Sequence, residues 1–408
     1  MKYHQEGSRM LRFIHAADLH LGNTGPSTLG LSPKWVERIK NASYKAFNNL
    51  IDKALELKVD FILLSGDLLD TSTPTLRSQL ELYKGLNRLS EANIKVFMVG
   101  GNHDPLNLKK AQSEMPNGVH LFGDKPETVS FKKGDLILAE ISGISYPTAK
   151  VTEDLSLLLK PGSEGFQIAL LHTNVAGYGN KDNYSPSELD SLVRTGFDYW
   201  ALGHVHTKAV LNENPYVVYP GTTQGQHINE TGPKGFYLVE VDQKVKIEFI
   251  NSAVYFWENL EFEAFGTLDK LDLAFEELIA KAFEIPRVYR IKIKGRTPLY
   301  NELLSEKEEL ETRFKEASNY ALESLVLEIL PDLDYTKIKT EESLPGEFLR
   351  VAEKLREDGF NEEIKEVLAP LYDKLGDILD PLEANDLETI LNGSIALGLD
   401  LFWRGEKS

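Results

Sequence analysis

At 408 residues, 42% of them hydrophobic and 26% charged, the chain has room for two or three domains, and its balance excludes disordered and fibrous classes. It contains no cysteine, which excludes disulfide staples and thiolate metal sites and leaves oxygen and imidazole as the strong ligands. The net charge of −18 argues against a chain-wide phosphate-binding surface, yet half of it comes from residues 342–408, with seven basic and sixteen acidic residues.

The first ten residues, MKYHQEGSRM, lack the apolar stretch of a secretory signal and are expected to be an extension outside the fold. No apolar run approaches a membrane span, and a cytoplasmic location is expected. From Leu11 onward, β-rich runs alternate with amphipathic stretches: FIHAA, residues 34–58, FILLS, residues 74–92, then VFMVG. In the first helical stretch Ile39, Ala42, Ala46, Leu50, Ala54 and Leu57 share a face, and Thr73 with Pro74 forms a plausible cap and first residue for the second. This βαβαβ order predicts a mostly parallel sheet.

Beyond Gly123 the strands crowd together as LILAEI, FQIALLH, YWALGH, YVVYP and FYLVEV, with Ser187 to Arg194 helical, which predicts a second sheet packed on the first. The expected organisation is an α/β domain over residues 11–250, a two-sheet sandwich flanked by helices. A small α+β cap domain over 251–335 and a helical tail over 336–408 follow. In the tail Phe348, Val351, Ala352 and Leu355 share one face, and Ile364, Val367, Leu368, Leu371, Leu375 and Ile378 another.

The polar residues sit at strand ends. Asp18 and His20 follow the first strand, Asp67 the second, and Asn102, His103 and Asp104 the third; His172 ends FQIALLH, while His204 and His206 follow YWAL. In an open α/β sheet these ends line the ligand crevice, so distant segments converge. Taken singly, Asp-x-His is a turn beside a surface histidine, Gly66-Asp67 is turn chemistry, and His172 is a core histidine. Their conjunction in this order points to a metal centre.

In that order, ADLH, SGDLLD, GGNHD, LLHTN and ALGHVH resemble the calcineurin-like metallophosphoesterases, from Phe13 to about Val241. Within that family, FIHAADLHLG, GDLLD and the GRTPLY segment at Gly295 are similar to bacterial DNA-repair exonucleases of the SbcD and YhaO type. The segment PGTTQGQHINETGPKGFYLVEV is similar to the YhaO branch in particular. The resemblance implies one metal on Asp18, His20 and His206, a second on Asn102, His172 and His204, and Asp67 bridging. Two cations about 3.5–4 Å apart clamp a phosphoryl group and lower the pKa of a bridging water. Manganese is the implied ion, with iron and zinc equally compatible by ligand type. His103 would stabilise the transition state or protonate the leaving group, with Asp104 orienting its imidazole or serving as a turn cap. Where Asp70 stands, some relatives carry a histidine tied to exonuclease action.

The resemblance also implies DNA as substrate, an SMC-like coiled-coil ATPase of the SbcC or YhaN kind as partner of the tail, and a homodimer. In VYRIKIKGR the side chains of Arg290, Lys292, Lys294 and Arg296 alternate with apolar residues, forming either a phosphate rail or a lysine-guarded edge strand. The same metal core would also serve a nucleotide or cyclic-nucleotide phosphodiesterase or a phosphatase.

Overall fold

The computed structural model describes residues 10–23, 25, 31–70, 74–105, 115–178, 184–281, 283–315, 320–357 and 384–405. The stripe at Ile364, Val367, Leu368, Leu371, Leu375 and Ile378, and the first nine residues of the extension, lie outside the described residues. The chain forms two compact units. One comprises Met1–Asn259, Ala282–Arg290 and Lys315–Glu323, and the other Leu260–Lys281, Ile291–Phe314 and Ser324–Ser408.

The first unit opens with β1 (Leu11–Ala16), α1 (Pro33–Lys40), α2 (Ala42–Leu57), β2 (Phe61–Ser65), α3 (Leu76–Glu91), β3 (Lys95–Val99) and β4 (Val119–Leu121). It continues with β5 (Glu127–Lys133), β6 (Leu136–Ile144), β7 (Phe166–His172), β8 (Asn174–Val175), β9 (Pro186–Ser187) and a short helix, Leu189–Val193. After these come β10 (Tyr199–Gly203), β11 (Ala209–Glu213), β12 (Tyr216–Tyr219), β13 (Gly235–Val241) and β14 (Val245–Asn251). One sheet has the order β14-β13-β1-β2-β3-β4, with β1 to β4 parallel and β13 antiparallel to β1. The other runs β11-β12-β10-β7-β6-β5, parallel from β6 to β12.

Alternation along each strand decides the layers. Phe13, Phe61 and Phe97 meet Ile141, Ile168 and Tyr199 between the sheets, whereas Ile14, Ile62, Leu64 and Val96 turn to the other face and pack with Phe47, Leu50 and Leu86 of α2 and α3. Phe13 stacks on Phe61 at 4.9 Å and meets Tyr199 edge-on at 5.5 Å. Each such buried side chain contributes about 1.5–3 kcal/mol of transfer free energy. The expected two-sheet sandwich with flanking helices is therefore the fold.

Two local expectations are corrected. The single helix over residues 34–58 is two helices, because Asn41 leaves helical geometry at φ −101°, ψ 3° while its side chain and backbone N–H both bond Glu37 O. The helix expected over residues 74–92 is α3, capped by Thr75, whose hydroxyl accepts from Ser78 N–H at 3.1 Å, so Pro74 precedes the cap instead of following it.

Between the sheets lies a fully buried histidine. His15 Nδ1 meets Tyr199 OH at 3.0 Å, and Nε2 meets Ser65 Oγ at 3.0 Å and Leu202 O at 3.2 Å. Burial lowers its pKa to about 3, against a weaker opposing pull from the Leu202 carbonyl. A histidine whose folded pKa lies below its unfolded value binds its proton only after unfolding, so stability is lost as pH falls from about 6.5 towards 3. Roughly 3 kcal/mol should disappear between pH 6.5 and pH 4. Urea unfolding of His15→Gln, which keeps a polar side chain between Tyr199 and Ser65, should show a flatter acid limb; an unchanged limb would assign the acid sensitivity elsewhere.

In the second unit, Phe275 of the helix Leu268–Ala280 stacks on Phe314 at 4.0 Å. The helices Tyr335–Thr340, Leu344–Glu357 and Ala384–Gly405 share a cluster of Ile338, Leu349, Ala352, Ile395 and Leu399. Strands β15 (Phe256–Glu263), β16 (Arg287–Thr297) and β17 (Tyr320–Pro331) form a three-stranded sheet with β16 in the middle, which overturns the edge-strand reading of VYRIKIKGR. Among the described residues no helix is long and apolar enough to cross a membrane.

Candidate metal centre

The ends of β1, β2, β3, β7 and β10 deliver their polar residues to one place. Asp18, His20 and His206 bring one ligating atom each within 4.8 Å of one another, as do Asp18, Asp67 and His172, and His20, Asp67 and His103. His172 Nε2 lies 2.9 Å from Asn102 Oδ1 and 3.4 Å from Asp67 Oδ2, and Asp67 Oδ2 lies 3.9 Å from His20 Nε2. One carboxylate oxygen thus stands between two groups of donors. His204 completes the second group, its ring 5.2 Å from that of His172.

Tight turns bring these groups in. Asp18, His20, Asp67 and His204 all have positive φ, at 51°, 42°, 50° and 103°. Such backbones cost about 1–3 kcal/mol each and persist where the surroundings over-determine them. Here Asp18 N–H bonds Gly66 O, His20 N–H bonds Asp67 O, and His204 N–H bonds both Asp18 oxygens at 3.1 Å. The glycines of the motifs serve close approach: a Cβ on Gly101 would land on Asp67 Oδ1, and one on Gly203 on the Ser65 carbonyl.

The donor set fits divalent cations. His172 Nδ1 bonds Ser65 O at 2.9 Å and its Nε2 faces two acceptor oxygens; burial would lower its pKa, but the Asp67 carboxylate outweighs it and pushes the imidazole up to about 9, so a proton stands where a cation would be held. His20 Nε2 and His206 Nε2 face each other at 3.0 Å. Nitrogens and oxygens converging in this way call for positive charge among them, a bound cation or the protons that otherwise take its place. Burial would raise the Asp67 carboxyl, but His172, His20 and His103 outweigh it and hold the group ionised far below its ordinary range. Burial and the neighbouring His172 depress His204 to about 3, which keeps it in the neutral form a ligand requires.

Two contacts were not read from the sequence. His206 Nδ1 bonds Glu230 Oε1 at 2.5 Å, and His20 Nδ1 lies 3.3 Å from Asp70 Oδ1. One expectation is also corrected. Asp104 does not orient the His103 imidazole; its buried carboxylate accepts from the N–H groups of Gly101, Leu68 and Leu69 at 2.9, 2.8 and 3.1 Å, tying the β2 and β3 loops together. The imidazole of His103, which is exposed, instead places Nδ1 2.8 Å from Asp70 O.

Of the four cations of the expected phosphate rail, carboxylates already engage three. Arg290 pairs with Glu323 at 2.7 Å, Lys292 with Glu328 at 2.7 Å and Lys294 with Glu261, while Arg296 lies over the Tyr335 ring and bonds its hydroxyl at 2.6 Å.

The calcineurin-like phosphoesterase family matches residues 11–208. Over 252 residues the chain is 41% identical to the uncharacterized metallophosphoesterase YhaO of Bacillus subtilis, covering 61% of this chain and 62% of that one. It is 32% identical over 249 residues to the DNA double-strand break repair protein Mre11 of Saccharolobus solfataricus, covering 58% and 62%. With the protein of the same name from Archaeoglobus fulgidus the identity is 25% over 395 residues, covering 89% and 84%. The match thus spans 62% of the length of each of the first two relatives. Residues 11–208, with the two-sheet fold that carries the histidine and aspartate cluster, are a calcineurin-like metallophosphoesterase domain, whose fold implies divalent metal ions.

Proposed function

We propose that this protein is a manganese-dependent phosphodiesterase that hydrolyses DNA, as an exonuclease, in DNA repair. The observation that carries the reading is Asp67 Oδ2, standing 3.4 Å from His172 Nε2 and 3.9 Å from His20 Nε2 between two donor groups. Asp18, His20 and His206 would hold one ion, Asn102, His172 and His204 the other, and Asp67 would serve both. Such ions, when bound, supply positive charge for a phosphoryl group and acidify water. The chain's own part is to fix that charge on a rigid floor and to present the exposed His103 to the substrate as the catalytic residue. Asp104 acts through the backbone, as the clamp between the two loops.

DNA as substrate is supported by the double-strand break repair relatives. A homodimer is supported by Leu76, Leu80 and Tyr83, 72%, 47% and 45% exposed along one stripe of α3. A coiled-coil ATPase partner is supported by Leu397 and Leu401, 60% and 61% exposed on the helix Ala384–Gly405. A cytoplasmic location accords with the cysteine-free sequence. One observation favours a second reading, a small nucleotide or cyclic-nucleotide phosphodiesterase: three of the four cations of the expected phosphate rail are already paired with carboxylates.

Manganese-dependent cleavage of end-labelled linear duplex DNA beside a small phosphodiester, with Asp67→Asn as control, separates the two. Cleavage of both substrates supports the nuclease; hydrolysis of the small diester alone rejects it for the isolated chain. If β16 contacts phosphates, Lys292→Gln with Lys294→Gln should reduce the salt slope of DNA binding by roughly 2 and spare the small diester. An unchanged slope removes the strand from the account.

A further inference from the structure

The two histidines beside Asp18 are each backed by a carboxylate, and those carboxylates are joined. Glu230 Oε1 accepts from His206 Nδ1 at 2.5 Å, and Oε2 accepts from the Gln226 backbone N–H at 2.6 Å. Gln226 Oε1 accepts at 3.0 Å from Asn23 Nδ2, whose second hydrogen goes to Asp70 Oδ1, also at 3.0 Å. Asp70 Oδ1 then lies 3.3 Å from His20 Nδ1. Asn23 is itself held by Gly25 N–H, which donates to its Oδ1 at 2.7 Å. Hydrogen bonds therefore join the back of His206 to Asp70, and the 3.3 Å approach of Asp70 to His20 Nδ1 carries the path to the second imidazole, while the two Nε2 atoms face each other at 3.0 Å.

The other half of the cluster is built differently. His172 backs onto the neutral carbonyl of Ser65 at 2.9 Å, with Asp18 Oδ1 4.0 Å away, and its companion Asn102 is uncharged. A carboxylate behind an imidazole fixes the tautomer and ring angle and strengthens the ligand, typically by 10–100-fold in metal affinity.

We propose that Asp70, Asn23, Gln226 and Glu230 form one positioning brace that fixes His20 and His206 as a pair and makes the Asp18 half the tighter of two metal sites. The brace rests on the reading of the cluster as a two-ion site. It also gives Asp70 a task distinct from contact with substrate, since its carboxylate is committed to His20 and Asn23.

The test is titration of the full chain with Mn2+, free ion being followed by its paramagnetic resonance signal at fixed pH, with no turnover measured. The wild type should bind one ion tightly and a second more weakly. Glu230→Gln and Asp70→Asn should each weaken the first phase by about 10–100-fold and leave the second in place. The double variant should lose less than the product of the two, since each breaks the same path. Asn23→Ala, which removes no charge and touches neither ring, should weaken the first phase several-fold, and it decides the matter if a carboxylate variant fails to fold. Equal shifts in both phases, a shift confined to the second, or no effect of Asn23→Ala would overturn the brace. Two ions bound in a single phase would overturn the brace alone; no bound ion would overturn the two-ion reading with it.

Discussion

Replacing Asp67 by asparagine is expected to lower phosphodiester turnover at saturating Mn2+ by about a thousandfold or more while the fold stays intact. Asparagine has the same shape, and its amide oxygen can keep the bond that Asp67 Oδ1 accepts from His103 N–H at 2.9 Å. What it removes is the charged oxygen between the two donor groups, 3.4 Å from His172 Nε2 and 3.9 Å from His20 Nε2. An amide nitrogen there offers no lone pair, so whichever ion each half holds loses a shared anionic ligand. Metal-centred charge stabilisation is worth several kcal/mol, and each 1.36 kcal/mol is tenfold in rate, so a loss of about 4 kcal/mol gives the stated factor. Initial rates on a small phosphodiester, paired with circular dichroism of the variant, check this directly. A well-folded variant within tenfold of wild type would mean that Asp67 is not shared between two ions.

The floor of this site was legible because each candidate ligand sits at or just past the end of a short apolar run that reads as a buried parallel strand. Phe61–Ser65 and Phe166–His172 are buried throughout, and such a strand ends where a polar residue becomes tolerable. The helix break at Asn41 was hidden because the apolar period continues across it, with Ile39 and Ala42 both buried. The brace was not legible for a different reason. Glu230 and Asp70 are ordinary loop carboxylates in sequence, and the bond joining Asn23 to Gln226 spans 203 residues. Only the fold brings such partners together. The β16 cations had a readable signal that went unused: Glu261 precedes them and Glu323 and Glu328 follow, on the strands that flank β16 on either side. A charged row in a middle strand meets its neighbours' side chains before it meets any ligand.

Removing the imidazole of His103 should cost about 10²–10⁴-fold in turnover and leave both bound ions in place. The histidine is one of three residues, with His20 and Asp67, whose ligating atoms lie within 4.8 Å of one another, so a role as metal ligand is the competing reading. Its surroundings favour the substrate. The ring is exposed and stands edge-on to His20 at 4.8 Å, and its Nδ1 is 2.8 Å from the carbonyl of Asp70, which only accepts. Nδ1 therefore carries one proton, and the Nε2 edge, once it carries a second, is the part that can donate to a phosphoryl oxygen or a departing alkoxide. His103→Ala should then retain the wild-type metal stoichiometry by elemental analysis, whereas loss of an ion would make the residue a ligand. The choice between protonating the leaving group and stabilising charge follows from the substrate. With a leaving group of low pKa, which needs no proton, a general acid is dispensable and the His103→Ala defect should shrink towards unity; a defect of equal size on good and poor leaving groups would assign the imidazole to the phosphoryl oxygens.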